Sequence, residues 1–238
     1  MEKIWESCQI VKDTLLMLEG YIQPGIKTVQ LDSLAEDMIR GRDAVPGFKG
    51  YHGFPSTLCI SVNDEVVHGI PGNRILQDGD IVGVDIGALK NGYYGDHAKT
   101  FPVGNISKDN LRLMDTTREC LYKGIEKAID GNRIGDISNA IQVHAENNGY
   151  GVVRDLIGHG IGEKLHEEPQ IPNYGKPGIG PEIKVGMCFA IEPMINEGTQ
   201  SVFTKKNQWT VITADGKCSA HFEHTITITD QGPRILTK

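Results

Sequence analysis

The chain is 238 residues long, 39% hydrophobic and 23% charged, with a formal net charge of −7. A chain of this length buries most of the surface its unfolded form exposes, so it needs no metal or disulfide merely to fold. Its acidic balance argues against nucleic-acid or anionic-membrane partners, which require a basic surface.

The five cysteines, Cys8, Cys59, Cys120, Cys188 and Cys218, are odd in number, widely spaced and form no C-x-x-C pair. That pattern disfavours a disulfide framework or a cysteine zinc site and suits a reducing compartment. Met1-Glu2-Lys3-Ile4-Trp5-Glu6 has no apolar stretch behind a basic start, so it does not read as a secretory signal. No apolar run approaches the roughly 18 residues needed to span a bilayer. The expectation is a cytoplasmic protein.

In chain order, residues 2–19 predict an amphipathic helix, with Ile4, Cys8, Val11, Leu15 and Leu18 on one face and Gly20 ending it. A second helix is expected after Thr28 as N-cap, burying Leu31, Leu34, Ala35 and Met38. A Gly/Pro-punctuated stretch from Val45 to Pro55 leads to short strands at 58–62 and 65–67. Residues 80–89 and 92–103 read as a hairpin turning at Asn91-Gly92. Ser107–Ile129 is a long helical segment, and a further helix follows Asp136 with Ile137, Ala140 and Ile141 inward.

The second half echoes the first. Shifted by about 106 positions, Gly25 falls on Gly131 and Leu31 on Ile137, and Asp85 precedes Glu192 by a similar interval. His68-Gly69-Ile70-Pro71 and His166-Glu167-Glu168-Pro169 also correspond loosely. One reading is coincidence between two helix–loop–strand units. The other is a duplicated α+β domain with its site between the halves.

The chemistry lies in acids that interrupt apolar strands. Ile81–Gly87 carries Asp85, and its partner strand carries Asp96. If Asn91-Gly92 centres the hairpin, Asp85 faces Ala98, and Asp96 lies diagonally on the same face, about 7–8 Å away between Cα atoms. Met187–Met194 carries Glu192, and Phe222–Ile228 carries Glu223. A buried charge is costly unless paired or metal-bound, and no Lys or Arg adjoins Asp85 or Glu192 in sequence. His159, between Gly158 and Gly160, is a fifth candidate ligand. Four carboxylates and a neutral imidazole balance two divalent cations and suit several first-row metals. Two such ions roughly 3.5–4 Å apart lower the pKa of a shared water toward about 7, which points to hydrolysis by a hydroxide nucleophile.

Asp85, Asp96, His159, Glu192 and Glu223, in this order, resemble the ligand set of the methionine aminopeptidases. The resemblance extends through Asn63–Pro71, Asp85-Ile86-Gly87, Gly95-Asp96, Gly158–Gly162, His166–Pro169, Ile191-Glu192-Pro193 and Phe222–Thr225, covering nearly the whole chain. The short interval from Glu192 to Glu223 resembles the type I, bacterial-style form, and residues 1–20 leave no room for a zinc-binding extension.

The resemblance implies an α+β pita-bread fold (creatinase/aminopeptidase-like), with duplicated α/β halves around a central antiparallel sheet. It implies one catalytic domain, 1–238, with halves of about 1–104 and 105–238. Asp85 would chelate one cation, His159 and Glu192 the other, and Asp96 and Glu223 both, with Co, Mn, Fe, Zn or Ni as candidates. Glu192 would also shuttle a proton, His166 would donate to the scissile carbonyl, and His68 would meet the amide of the second substrate residue. Tyr51, Phe54, Cys59, Leu165 and Trp209 would line the methionine pocket. Leu165 stands where many relatives carry phenylalanine, and His221 where glutamine is expected.

The implied activity is removal of initiator methionine from nascent chains with a small second residue, by a monomer transiently associated with the ribosome. Two alternatives are a proline-directed peptidase of the same fold and a non-catalytic, ribosome- or RNA-associated binding protein. The first usually has an additional amino-terminal domain, and the second loses metal ligands that are all present here.

Overall fold

A computed structural model describes residues 2–238. Apolar residues three and four apart fold as helix α1 (Glu2–Glu19), which buries Ile4, Cys8, Val11, Leu15 and Leu18. Helix α2 (Thr28–Arg40) buries Leu31, Ala35 and Ile39, while Leu34 and Met38 are half-buried. Then come β1 (Val45–Pro46), a 3-10 turn at Tyr51–Gly53, β2 (Leu58–Val62), β3 (Glu65–Val67), and the hairpin β4 (Ile81–Lys90) and β5 (Tyr93–Pro102). Helices α3 (Lys108–Ile125) and α4 (Ile134–Asn147) follow. After them run β6 (Gly151–Val152), β7 (Gly158–Gly160), β8 (Glu167–Ile171), β9 (Cys188–Ile191) and β10 (Met194–Asn196). The chain closes with β11 (Val202–Thr204), β12 (Val211–Thr213), β13 (Ser219–His221), β14 (His224–Thr229) and β15 (Gly232–Ile235).

Three helix boundaries differ from the sequence reading. Lys27, not Thr28, caps α2: the Gln30 side chain accepts from the Lys27 N–H, and the Thr28 hydroxyl exchanges hydrogen bonds with the Gly72 backbone. Asp136 lies inside the first turn of α4 and accepts from the N–H of Arg133, the N-cap. Helix α3, capped by Ser107, stops at Ile125, short of the expected Ile129.

The hairpin register agrees with the sequence argument: Asp85 pairs with Ala98, and Asp96 with Gly87. Asp85 and Gly87 are two residues apart on one strand, so both acids project from the same sheet face. Strands β1 and β2 pair with β4, opposite β5, while a second antiparallel sheet runs β15-β14-β9-β7-β8. The two sheets are sewn together where β5 meets β14. The Glu223 N–H donates to Ala98 O (2.9 Å), Asp96 N–H donates to Thr225 Oγ1 (3.2 Å), and that hydroxyl donates to Asp96 O (2.7 Å). This seam turns two sheets into one central antiparallel layer.

Helices α1 and α2 cover the first sheet through Val11, Leu15, Leu31 and Ile39 against Leu58, Val82 and Val84. Helices α3 and α4 cover the second through Leu121, Ile137 and Ile141 against Phe189, Ile191 and Ile226. The same backbone hydrogen bonds recur in each set. Gly25 donates to Leu76 O and Gly131 to Ile183 O, while Leu76 donates to Ile26 O and Ile183 to Asn132 O. Among the described residues no helix is long and apolar enough to cross a membrane.

Helix α1 reaches the sheet closely at one point, beside Asp96. A Cβ on Gly95 would sit 2.6 Å from Cys8 N and Ser7 C, both backbone atoms that cannot move aside. Gly95→Ala is therefore expected to destabilise the fold by about 1–3 kcal/mol through overpacking. Gly72→Ala meets no atom within 4 Å and should fall within about 0.5 kcal/mol of the parent. Urea denaturation of both variants checks the pair, and equal stabilities would contradict the close approach.

Candidate active site

Five side chains from different elements converge on one end of a cavity. Asp85 comes from the middle of β4 and Asp96 from β5, while His159 is the central residue of β7. Glu192 follows β9, and Glu223 sits between β13 and β14. Asp96, His159 and Glu223 offer ligand atoms within 4.8 Å of one another. His159 Nε2 lies 3.8 Å from Asp96 Oδ2 and 3.5 Å from Glu192 Oε1.

The protonation pattern around His159 reveals what the cluster lacks. Its Nδ1–H donates to Gly160 O at 2.9 Å. Burial pushes the ring pKa down to about 4, so near neutral pH Nε2 carries a lone pair. That lone pair faces Asp96 Oδ2 and Glu192 Oε1. One oxygen on each of Asp85, Asp96 and Glu223 is buried without a hydrogen-bond partner. Unpartnered buried acceptors of this kind are costly unless a cation satisfies them. The donor set fits divalent metal ions: oxygen-rich, with one imidazole fixed in the ligating tautomer by its second nitrogen.

The same crowding raises the carboxyl pKa values. Burial lifts Asp85 to about 7. Burial and then repulsion from Asp85 lift Asp96 and Glu192, and burial with repulsion from Asp96 lifts Glu223. Proteins without a bound cation hold protons in such a cluster, and metal binding must expel them.

The cavity measures about 180 Å³. All of the site residues expected from sequence line it: Asp85, Asp96, His159, Glu192 and Glu223 at the acidic end, with His68, His166, Tyr51, Phe54, Cys59, Leu165 and Trp209 around them. Phe54 and Trp209 meet edge to face at 5.2 Å between ring centres. Cys59 pairs with Asp85 across β2 and β4, and burial followed by the Asp85 charge keeps its thiol protonated. Cys59 is therefore wall rather than nucleophile. All five cysteines are free.

His166 and His68 enter from loops. Tyr51 Oη lies 2.9 Å from His166 Nδ1, and a hydroxyl donating there leaves the ring proton on Nε2. His68 holds φ at +57°, a left-handed conformation uncommon outside glycine. It is followed by Gly69, whose missing Cβ would lie 2.7 Å from the Ile60 carbonyl carbon. The tight approach to β2 fixes the direction in which His68 leaves the sheet.

Several residues at the site escaped the sequence reading. Phe48 and His52 also line the cavity, and only their place in the Gly/Pro-rich stretch hinted at it. Asn173, fully buried, donates from Nδ2 to Glu192 O at 3.1 Å. Thr225 braces the Asp96 backbone from both directions. No local pattern marks Asn173, and Thr225, although part of Phe222–Thr225, carries no local sign of its bonds to Asp96 across 129 residues.

Comparison with known proteins agrees with this geometry. The family model for metallopeptidase family M24 matches residues 2–230. The chain is 52% identical over 238 residues to the methionine aminopeptidase of Clostridium acetobutylicum, covering 100% of this chain and 95% of that protein. It is 54% identical over 233 residues to methionine aminopeptidase 1 of Bacillus subtilis, covering 98% and 94% respectively. The crystal structure of methionine aminopeptidase from Thermotoga maritima superposes with a TM-score of 0.98 at 44% identity, covering 100% of this chain and 96% of that one. A Xaa-Pro dipeptidase from Bacillus anthracis, at 21% identity and a TM-score of 0.80, shares the pita-bread fold alone, with this chain spanning 60% of its length. The chain belongs to metallopeptidase family M24 and, at this identity over its whole length, to the methionine aminopeptidases within it.

Proposed function

We propose that the protein removes the initiator methionine from nascent polypeptides whose second residue is small, using two divalent cations held by Asp85, Asp96, His159, Glu192 and Glu223. The observation that carries this reading is the gathering of ligand atoms of Asp96, His159 and Glu223 within 4.8 Å of one another, with buried, unpartnered oxygens on Asp85, Asp96 and Glu223, in a cavity that aromatic and apolar groups also line. Four carboxylates carry four negative charges, which two divalent ions balance. Asp85 would help to hold one ion and His159 and Glu192 the other, with Asp96 and Glu223 serving both. When bound, the ions lower the pKa of an attacking water and polarise the scissile carbonyl. Manganese, iron, cobalt, nickel and zinc all suit such donors.

The chain's own groups do the rest. Glu192 accepts a proton from the attacking water and passes it to the leaving amine, general acid–base work open to a carboxylate at the reacting atoms. His166, with Tyr51 at Nδ1, donates from Nε2 to the scissile oxygen as charge develops there. His68 meets the amide nitrogen of the second substrate residue. Tyr51, Phe54, Cys59, Leu165 and Trp209 enclose the methionine side chain, whose thioether suits an aromatic wall. The small cavity supports selection for a small second residue. The same reading holds residues 1–238 to be one catalytic domain with halves of about 1–104 and 105–238. It takes the protein as a cytoplasmic monomer in transient association with the ribosome.

Chelator-stripped protein should release methionine from Met-Ala-Ser but not from Met-Glu-Ser once Mn, Co, Fe, Ni or Zn is restored. Glu192→Ala should lower kcat by about 10²–10⁴-fold. Methionine release is read by chromatography, and absence of release with every metal would refute the reading. Robust cleavage of X-Pro dipeptides in its place would point to the proline-directed alternative.

Stability of the metal-free protein should depend on pH in a defined sense. The carboxyl groups have folded pKa values raised above their unfolded ones, Asp85 to about 7. Their stabilising contribution is complete below the unfolded values, near 4, and is lost as pH rises through the folded values. The buried histidines act oppositely: His97 and His221, pushed down to about 4 and 3, contribute fully above about pH 6.5 and lose that contribution as pH falls. Between about pH 6.5 and 8.5 the carboxylates therefore dominate. The melting temperature of stripped protein should fall across that window, and saturating Mn²⁺ should flatten the decline. A stripped protein whose melting temperature rises from pH 6.5 to 8.5 would contradict it.

A further inference from the structure

His221 is a buried titratable side chain that the reaction described above does not use. It ends β13, is 3% exposed, and its Nε2 has no hydrogen-bond partner. Its backbone is held in place: the His221 N–H donates to Thr100 Oγ1 at 3.0 Å, and that hydroxyl donates to His221 O at 2.8 Å. Pairing with Met194 sets it across from the strand that begins two residues after Glu192. From this position Nε2 points toward Glu192, 3.7 Å from Oε2.

Glu192 is thereby flanked by two imidazoles. Oε1 faces the His159 lone pair at 3.5 Å, and Oε2 faces His221. The two rings differ in what they offer. His159 has its proton fixed on Nδ1 by Gly160 O and presents a lone pair. His221 has no such partner at Nε2, so its proton is free to sit there. A lone pair set against a carboxylate oxygen is repulsive, whereas an N–H is attractive.

We propose that His221 is a positioning residue for Glu192, donating Nε2–H to Oε2 and so turning the opposite oxygen, Oε1, toward His159. This rests on the reading of Glu192 as both metal ligand and proton carrier. An adjustment of roughly 1 Å brings the pair to the hydrogen-bond distance of about 2.8 Å usual for a charged acceptor. Packing alone gives no reason for the residue, since an imidazole nitrogen buried without a partner is less stable than an apolar side chain of similar size. Glutamine, the residue expected here from the family resemblance, also carries an N–H donor.

The test compares His221→Gln, which keeps a donor, with His221→Leu, which does not. The readouts are kcat and KM on Met-Ala-Ser and calorimetric titration of Mn²⁺ into stripped protein. His221→Leu should lower kcat about ten- to hundredfold with KM little changed, and should weaken Mn²⁺ binding, because orienting partners of metal ligands have effects of this size. His221→Gln should stay within about threefold of the parent in both readouts. If the leucine variant melts well below the parent, His221→Met, whose flexible side chain fills irregular gaps, replaces it. Equal behaviour of donor and donor-less variants, whether both intact or both impaired, would overturn the proposal. Unchanged kcat in Glu192→Gln would instead remove the reading of Glu192 as proton carrier, a failure separable from that of His221 because the Mn²⁺ titration still reads their contact.

Discussion

Four carboxyl groups crowded into one buried site are the constraint from which the rest of this structure follows. Each is lifted in pKa by burial, and three are lifted further by the others. No Lys or Arg ion pair forms with any of them. Among the described residues, the side-chain nitrogens near them are imidazoles, and these are held neutral by the same burial. Such a site is unfavourable as protein alone and becomes favourable with divalent cations, so binding energy is released where folding left a deficit. Function in this family and the local instability of the bare cluster are thus two aspects of one arrangement.

Holding that arrangement requires a scaffold that does not relax. The acids stand on or directly beside strands of two sheets, and the sheets are joined through the backbone of Asp96 and Glu223. Asp96 is braced by the Thr225 hydroxyl, Glu223 by Ala98 O, and the His97 ring donates from Nδ1 to Glu223 O. His97 and His224, the residues following Asp96 and Glu223, stack with ring centres 4.7 Å apart. Each half supplies a helix pair to its sheet, and neither half alone carries the full set of acids. A site on rigid strands keeps its geometry better than one on loops: Asp85 and Asp96 stand within strands and Glu192 and Glu223 directly at strand ends, whereas His68 and His166 come from loops.

Much of this was legible in the chain because its signals are local. The spacing of Ile4, Cys8, Val11, Leu15 and Leu18 gave α1 with its observed bounds. The Asn91-Gly92 turn set the register that places Asp85 opposite Ala98. The acids stood out because each interrupts an apolar run. What stayed hidden depends on contacts between distant residues. Thr28 has the composition of an N-cap, yet its hydroxyl serves Gly72. Asn173 and Thr225 support Glu192 and Asp96 from positions 19 and 129 residues away, and no periodicity foretells that. His221 was visible only as a departure from the expected glutamine, without a partner to give it meaning.

The restraint on the acids is uneven, and the unevenness matches their chemistry. Asp96 and Glu223 lie at the seam, buried to 3% and 2% exposure, with their backbones fixed by the opposite sheet. In the proposed two-cation arrangement such rigidity favours these two groups, since a ligand that drifts loses its metal. Glu192 differs. It lies just beyond the end of β9, its side chain is 15% exposed, and its carbonyl is tied by one amide from Asn173. In its proposed role as proton carrier, Glu192 needs access to the reacting atoms and a carboxylate free to reorient slightly. Too much freedom would cost the alignment on which proton transfer depends. Flanking imidazoles at 3.5 and 3.7 Å resolve that conflict: they bound the carboxylate on both sides without locking it in the sheet.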